Sequence, residues 1–328
     1  MPSVENKEVL ISVVIPVKNG EAWLDACMQG IMQQTLFNQT EIIVIDSGST
    51  DNSLQILQKY PVSLHTIPAA EFNHGLTRNY ALQFCKGKYV VMTVQDAKPT
   101  DNLWLQKLLD GFSAAPNVAG VCGQQVVPHE KDKNPVDWFR PFSNPSLTVY
   151  QFNSASEFDS MSPAEKKNCC GWDDVNAMYL RSVLEKLPFQ KITYGEDAVW
   201  AKDALRAGCA IVYNTAARVY HYHYEDWDFA FKRALTTMYL RYRCFGFVYH
   251  KPKRTVRETL GIVKLIWVSK SLTLKEKWSW YLYNRQQFNA FKEAHAVFHD
   301  ALSKGEEVLD RTHEKFCGKP PVPLKEMN

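Results

Sequence analysis

Residues 9–17 read VLISVVIPV, a continuous run of apolar and mostly β-branched side chains. Such a run predicts a strand that is buried on both faces of a parallel sheet. Similar runs at 41–45, 62–67 and 89–94 predict three further strands. The segments between them have helical spacing, at 21–34, around Leu54 and Leu57, and at 79–85. Repeated strand–helix units predict an α/β fold with a doubly wound, mostly parallel sheet.

The second half of the chain is less regular. Residues 126–168 mix proline, aromatic and polar residues, which is typical of a long excursion over the sheet. Periodicity predicts helices at 176–187 and 198–207, short strands at 210–213 and 219–222, and a wholly helical chain beyond Phe229. We therefore expect a sheet domain over 1–228 and a helical C-terminal extension over 229–328.

Composition excludes several classes of protein. The 328 residues are 45% hydrophobic and 22% charged, as in ordinary globular proteins, and the net charge of +3 is too small to indicate nucleic acid as the default partner. The eight cysteines include no CxxC pair, which argues against a zinc ribbon or a thioredoxin-type site. The N-terminus lacks the basic region of a signal peptide, and no apolar run reaches the ~18 residues of a membrane span. The sequence thus predicts a reduced, cytoplasmic protein.

The positive charge is concentrated in the helical end. Residues 229–293 carry 14 lysines and arginines against three glutamates, interleaved with tryptophan, tyrosine and phenylalanine. This pattern favours contact with an anionic membrane surface, since basic and aromatic side chains both suit that interface. The alternatives are a helical bundle with a solvated basic face and, less favoured, an RNA-binding surface.

Acidic and histidine side chains follow several of the predicted strands. Asp46 and Asp96 stand just past the ends of two parallel strands, where ligands of such sheets bind. Glu196 and Asp197 lie in the loop YGEDAVW, and the strand RVYHYH ends with His221 and His223. Aspartate with histidine suits Mg²⁺ or Mn²⁺, and so few protein ligands require substrate phosphates to complete the shell.

Five motifs, in this order, resemble those of family-2 glycosyltransferases with the GT-A fold. They are VVIPVKNG (13–20), EIIVIDSGSTDNS (41–53), FNHGLTRNYA (72–81), VMTVQDAKP (91–99) and YGEDAVWAKDALRAGCAIVYNTAARVYHYH (194–223). Together they span about two thirds of the chain. The strings FNHGLTRN and TVQDA are most similar to those of bacterial rhamnosyltransferases that build surface polysaccharides.

The resemblance implies a nucleotide-sugar site. Asp46 would accept a hydrogen bond from the base imide, and Arg78 would lie near the diphosphate, with a surface ion pair as its alternative role. Ser49 and Asp51 belong to the same loop as Asp46 but are expected to cap the following helix. The residues expected to bind the donor are Pro16, Val17, Lys18, Asn19, Asp46, Arg78, Gln95 and Asp96.

The resemblance also implies a metal site and a catalytic base. VQDA stands where the family carries DxD, so Val94 replaces the first acid and leaves Asp96 as the ligand. His221 supplies a second metal contact, with His223 as the alternative. Asp197 would be the general base, ionised with an ordinary aspartate pKa, and Glu196 would orient the acceptor or cap the next helix. On the acceptor side the resemblance implies a loop with Asp173, Asp174 and Asn176. Trp172, close to this loop, is expected to pack in the core, with a sugar platform as the alternative.

The implied activity is inverting transfer of a sugar from a nucleoside diphosphate to a sugar hydroxyl. The resemblance indicates L-rhamnose from dTDP-L-rhamnose as donor and a lipid-linked saccharide as acceptor. The enzyme would then work in the cytoplasm, peripherally on the inner face of the membrane, with no nucleic-acid partner. The alternatives are a transferase of the same fold with another donor, such as a UDP-hexose, and a sugar-nucleotide-binding protein with a decayed catalytic site.

Overall fold

The computed structural model describes residues 8–137 and 144–318, which fold into two units. The first unit contains residues 8–125 and 144–221, and the second contains residues 126–137 and 222–318. The chain thus enters the second unit, returns to the first and enters the second again. The predicted division at residue 228 stays a prediction.

The first unit is built on β1 (Ile11–Val17), in which every side chain except Pro16 is buried. The other strands are β2 (Thr40–Asp46), β3 (Val62–Thr66), β4 (Tyr89–Thr93), β5 (Lys98–Pro99), β6 (Val118–Val126), β7 (Leu147–Tyr150), β8 (Asn176–Leu180) and β9 (Ala210–Tyr220). Their order in the sheet is β3-β2-β1-β4-β8-β6-β9-β5, with β7 paired to β9.

Half of this sheet is parallel. β3, β2, β1 and β4 run in parallel. The expected parallel arrangement is therefore confirmed for the four strands that the apolar runs predict. The prediction of a mostly parallel sheet is wrong for the other half, because β8 is antiparallel to β4 and β6, and β9 is antiparallel to β5 and β7. The fold is therefore α/β with a mixed sheet.

Helices cover the sheet of the first unit. They are α1 (Leu24–Met32), α2 (Ser53–Leu57), α3 (His74–Leu82), α4 (Trp104–Asp110), α5 (Ala155–Asp159), α6 (Pro163–Cys169), α7 (Arg181–Leu184) and α8 (Glu196–Arg206). The largest core packs α1 and α4 against the sheet, with Trp104 and Met28 among its buried side chains.

Three sequence predictions need correction. Residues 176–187 are not one helix, because 176–180 form β8, which is held between β4 and β6. The two short strands expected at 210–213 and 219–222 are one strand, β9. The excursion expected at 126–168 is split, since 126–137 belong to the second unit while β7, α5 and α6 belong to the first.

The second unit is helical beyond residue 226, as predicted. Its helices are α9 (Trp227–Phe245), α10 (Val256–Val268), α11 (Leu274–Ser303) and α12 (Glu306–Cys317). A core around Leu235 and Phe298 joins α9, α11 and α12. The inserted segment 126–137 is fixed to α11 by a reciprocal pair of amide hydrogen bonds between Asn134 and Asn284, at 2.8 and 3.1 Å.

None of the helices in the described ranges is both long and apolar enough to cross a bilayer. The eight cysteines are all free thiols, and the adjacent Cys169 and Cys170 are buried with their sulfurs 3.8 Å apart. This pair therefore packs in the core.

Candidate functional site

The loop after β1 is fixed by the side chain of Gln95. The Lys18 N–H donates to Gln95 Oε1 at 2.9 Å, and Gln95 Nε2 donates to the Lys18 carbonyl at 3.0 Å. A Cβ at position 20 would lie 2.6 Å from Gln95 Oε1, so any side chain there would displace the Gln95 amide from these hydrogen bonds. Gln95 thus joins the ends of β1 and β4, two of the motifs predicted to bind the donor.

A second set of hydrogen bonds joins the loop after β1 to the loop after β2. Asn19, in the left-handed region at φ 50°, donates its N–H to Ser49 Oγ, and its Oδ1 accepts from the Thr50 N–H. Asp51 accepts from the N–H groups of Glu21 and Ser53. Asn52 is the N-cap of α2, so the capping role predicted for Ser49 is wrong, but the Asp51 carboxylate does bind the Ser53 N–H in the first turn of the helix.

Asp46 is buried at the end of β2. Its carboxylate accepts hydrogen bonds from the N–H groups of Gly48 and Ser49, at 3.0 and 3.1 Å. Val17, at the end of the neighbouring β1, accepts from the Ser47 N–H. The carboxylate therefore orders the loop at the edge where β1 and β2 end. Its contact with a nucleotide base stays a prediction.

Asp96 and His221 lie together, as expected for metal ligands. Asp96 Oδ2 is 3.5 Å from His221 Nε2, and both side chains are largely buried. The other ring nitrogen, Nδ1, is 2.7 Å from Gln125 Oε1, and Gln125 Nε2 donates to the Asp173 carboxylate. His223 belongs to the second unit, and its part in a metal site stays a prediction.

These hydrogen bonds fix the tautomer of His221. The Asp173 carboxylate only accepts hydrogen bonds, so Gln125 must turn its amide nitrogen towards it and its oxygen towards His221. His221 Nδ1 then carries the hydrogen, and in the neutral ring Nε2 presents a lone pair towards Asp96. Two acceptors facing each other favour a cation, and an imidazole held through its second nitrogen is typical of metal ligands. The residues thus fit Mg²⁺ or Mn²⁺.

Val94 contributes nothing to this pair. Its side chain packs against the apolar core under the sheet. The sequence difference from DxD is therefore a packing residue, and the acid side chain at the end of the motif is Asp96.

An acidic cluster surrounds Arg78. Arg78 is 3% exposed and pairs with Glu196 and, through Nε, with Asp174 Oδ2 at 3.3 Å. The alternative of a surface ion pair is therefore wrong. Tyr179 donates to Asp174 Oδ1, and Trp172 Nε1 donates to the Tyr179 hydroxyl oxygen at 2.7 Å. Glu196 neither caps α8 nor faces solvent, because its carboxylate is held in this buried pair.

Asp197 stands at the start of α8, beside the cluster. Its Oδ1 accepts from the Ala198 N–H at 2.6 Å, and its Oδ2 lies 3.4 Å from the Asp174 nitrogen. Loss of hydration raises the pKa of Asp197 well above its usual range, and the charges of Glu196, Asp174 and Asp173 raise it further. The expectation of an ordinary aspartate pKa is therefore wrong.

Two residues expected near the acceptor are structural. Asn176 is buried, where it accepts from Trp104 Nε1 at 2.7 Å and donates to the Ala217 carbonyl at 2.9 Å. Trp172 is only 4% exposed and packs on Tyr179 and Trp200, so it offers no platform for a sugar.

The structure adds Gln125 to the site, a residue that the sequence motifs did not indicate. It lies near the end of β6 and connects His221 to Asp173, which precedes Asp174 and its contact with Asp197. The predicted metal ligands and the predicted base are therefore linked by one path of contacts. The signal was present in the sequence, since Gln124 and Gln125 follow an apolar run just as Asp46 and Asp96 do.

Comparison with known proteins gives relatives that match about two thirds of the chain. O-antigen chain rhamnosyltransferase RfbN of Salmonella typhimurium is 32% identical over 218 residues, which cover 65% of this chain and 66% of that protein. O-antigen chain rhamnosyltransferase WbaN of Salmonella anatum is 34% identical over 221 residues, with the same coverage. The match thus spans slightly less than two thirds of either relative.

Solved structures share the fold. Mannosyltransferase PcManGT from Pyrobaculum calidifontis, in complex with GDP-Man and Mn²⁺, superposes with a TM-score of 0.52 at 17% identity, covering 94% of this chain and 84% of that one. Glucosyl-3-phosphoglycerate synthase from Mycobacterium tuberculosis, in complex with phosphoglyceric acid, gives 0.50 at 16% identity, covering 76% and 85%. The predicted GT-A fold is confirmed.

The chain also matches the model of a protein family. The model of glycosyl transferase family 2 matches residues 12–188, more than half of the chain, and this range holds all of β1 except its first residue, the loop with Asp46 and the Asp96 motif. The chain belongs to glycosyl transferase family 2.

Proposed function

We propose that this chain is an inverting glycosyltransferase that moves L-rhamnose from dTDP-L-rhamnose to a hydroxyl of a lipid-linked saccharide during surface polysaccharide synthesis. The observation that carries the proposal is the path of contacts from Asp96 and His221, through Gln125 and Asp173, to the cluster beside Asp197. Transfer as proposed uses a donor-side cation site and a base, and this path would connect the two within the first unit.

The relatives support the sugar. Both Salmonella proteins are named as O-antigen chain rhamnosyltransferases, and their similarity covers 65% of this chain. The donor pocket would be formed by the ends of β1, β2 and β4, where Gln95, Asn19 and Asp46 order the loops.

Asp197 would act as the general base. The acceptor oxygen forms a bond to the anomeric carbon while the bond from that carbon to the diphosphate oxygen breaks, and the electron pair leaves with the diphosphate. The hydroxyl proton goes to the Asp197 carboxylate. Attack from the face opposite the diphosphate inverts the anomeric configuration. A base positioned in this way contributes about 10²–10⁴-fold in rate. Burial and the neighbouring carboxylates raise the pKa of Asp197, so its ionised form is a stronger base.

Arg78 would keep the carboxylates of the acidic cluster ionised in this scheme. Its positive charge opposes the repulsion between Asp174 and Glu196, which would otherwise favour protonation of the whole cluster. A direct contact of Arg78 with the diphosphate stays a prediction, because both carboxylates already hold the guanidinium.

Asp96 and His221 would hold Mg²⁺ or Mn²⁺ together with phosphate oxygens of the donor. When bound, the ion supplies positive charge that stabilises the leaving diphosphate. We propose that the reaction takes place on the cytoplasmic face of the membrane, where a lipid-linked acceptor is available.

The test is transfer and donor hydrolysis by the purified protein with Mg²⁺ or Mn²⁺. The donors are dTDP-L-rhamnose, UDP-glucose and GDP-mannose, and the variants are Asp197→Asn and Asp96→Asn. Asp203→Asn is the matched control, since Asp203 lies on the same helix and its carboxylate accepts a hydrogen bond from Gln190, outside the cluster around Arg78. We expect turnover of dTDP-L-rhamnose, lost in the first two variants and kept in the control.

Other outcomes separate the alternatives. Turnover of UDP-glucose or GDP-mannose alone would keep the mechanism and overturn the rhamnose assignment. Nucleotide binding without turnover of any donor, with a lipid-linked saccharide present, would indicate a binding protein instead of an enzyme.

A further inference from the structure

The second unit carries an apolar face that its own core does not cover. On α10, Val256, Leu260, Val263 and Trp267 recur at intervals of four, three and four residues, so they share one side of the helix. Ile266, next to Trp267 and roughly 100° around the helix from it, is fully buried in a core with α11. The helix is therefore apolar on two sides, of which one serves the unit itself.

The next helix, α11, also exposes a row of apolar side chains. Leu274, Trp278 and Leu282 are spaced by four residues at the start of α11, while Trp280 and Tyr283 point into the core. Across both helices, seven large apolar side chains are 41–78% exposed: Val256, Leu260, Trp267, Val268, Leu274, Trp278 and Leu282. A concentration of this kind on one hairpin marks a binding surface. We call the hairpin formed by residues 256–285 the docking hairpin.

The charge around the docking hairpin is strongly positive. Residues 251–285 contain nine lysines and arginines and only two acids, Glu258 and Glu276. Both acids are used locally, because each closes a capping box, Glu258 with Thr255 and Glu276 with Thr273. The basic residues therefore have few acidic neighbours within the segment, and the surface is complementary to an anionic partner.

A basic pocket lies between the two helices of the hairpin. It has a volume of about 210 Å³, and Arg254, Arg285 and Asn284 are among the residues that line it. Arg254 stacks on Phe288 with its guanidinium carbon 4.2 Å from the ring centroid. The Asn284 amide is held by Asn134, and the two guanidinium groups suit a phosphate group.

We propose that the docking hairpin binds the surface of an anionic lipid bilayer, with its exposed apolar side chains in the interface and its basic residues against lipid phosphates. The combination of exposed apolar side chains with basic residues favours a lipid bilayer over the two other partners considered. A second copy of the chain would bring like charges together, and RNA would leave the aliphatic side chains without an apolar partner. The inference rests on the proposed function in one respect, since a lipid-linked acceptor gives the bound state its use.

The experiment is cosedimentation of the full chain with vesicles. Vesicles of phosphatidylcholine alone are compared with vesicles that also contain phosphatidylglycerol, at low and high salt. We expect binding to the anionic vesicles that weakens at high salt. Trp278→Ser should weaken it roughly tenfold through lost apolar burial. Lys264→Gln and Lys275→Gln should each weaken it about fivefold, the equivalent of about 1 kcal/mol.

Matched controls lie elsewhere on the molecule. Trp23 in the first unit is 50% exposed, close to the 56% of Trp278, so Trp23→Ser tests whether loss of any exposed tryptophan has the same effect. Lys292→Gln removes an exposed charge from α11 beyond the docking hairpin. Both controls should bind like the wild type, and all variants should keep the wild-type circular dichroism and thermal midpoint.

Three results would overturn the proposal: no binding to anionic vesicles at low salt, equal loss in the controls, or binding that responds to the lysine variants but not to Trp278→Ser. The last would mean electrostatic adsorption alone. Displacement from vesicles by RNA that also tolerates Trp278→Ser would favour the nucleic-acid alternative. Donor hydrolysis in detergent-free buffer separates this proposal from the enzymatic one, because Trp278→Ser should leave it unchanged.

Discussion

At the scale of single residues, Gln125 controls the imidazole that is expected to bind the metal. Gln125→Leu would remove the acceptor of the His221 Nδ1 hydrogen and the contact with Asp173. We expect the affinity for Mn²⁺ in the presence of dTDP to fall about 10–100-fold, as for other residues that orient a metal ligand. Titration calorimetry measures this. Gln124→Leu, which loses only a contact with Arg218, should have little effect, and equal affinities in both variants would contradict the role.

A second prediction at this scale concerns Asp174. Burial raises its pKa to about 7, and Glu196 raises it while Arg78 lowers it. Between an unfolded value of about 3.9 and this folded value, the folded state holds more protons than the unfolded one. Stability due to this group is therefore lost as the pH rises from about 4 to 7, by at most about 1.4 kcal/mol per pH unit.

Urea unfolding between pH 5 and 7 measures this slope. Asp174→Asn should flatten it, because the amide oxygen can still accept from Tyr179 but does not titrate. An unchanged slope in the variant would assign the pH dependence to other groups. The sequence indicated Asp174 as an acceptor-side residue and did not indicate its burial, since that depends on Arg78, Tyr179 and Glu196 meeting from three separate elements.

At the scale of elements, the start of α8 sets the position of Asp197. Gly195 is the N-cap and has φ of 83°, in the left-handed region where a Cβ costs roughly 1–2 kcal/mol. Gly195→Ala should destabilise the fold by about that amount and lower kcat by moving the first turn of the helix. Gly195→Asn should cost less, because asparagine tolerates this conformation. Thermal unfolding and kcat measured together check both, and an alanine variant as stable and active as the wild type would refute the argument.

The elements that could be predicted most directly from the sequence are strands with apolar neighbours on both faces. β1, β2 and β4 are largely buried, so their apolar runs identify them without knowledge of their neighbours. β8 could not be predicted, because NAMYL is followed by residues with helical spacing and becomes a strand only between β4 and β6. The polar centre of β9 makes the sequence pattern predict two strands. In the structure Asn214 donates to the carbonyl of Lys107 on α4, and the strand is continuous.

At the scale of the whole molecule, donor binding should stabilise the folded state. With dTDP and Mn²⁺ at about 100 times their dissociation constant, the gain is about 2.7 kcal/mol, seen as a higher thermal midpoint. Asp96→Asn should reduce the part of the gain that needs Mn²⁺, whereas Asp203→Asn should keep it. A shift that is independent of Asp96 would mean that the cation binds elsewhere.

The order of the motifs indicated the family and the edge of the sheet that carries the site. It did not indicate the path from His221 to Asp197, whose contacts join residues as far apart as 96 positions. Pairings over such distances are set by the way β6, β8 and β9 lie side by side, and no local pattern in the sequence encodes them.

The insertion of residues 126–137 into the second unit has a consequence for synthesis on the ribosome. Asn134 and Asn284, which hold this segment to α11, are separated by 150 residues. At translation rates of about 5–20 residues per second, the partner of Asn134 is made roughly 8–30 seconds later. During that interval the Asn134 side-chain amide stays hydrated. The second unit is therefore completed only after α11 has been translated.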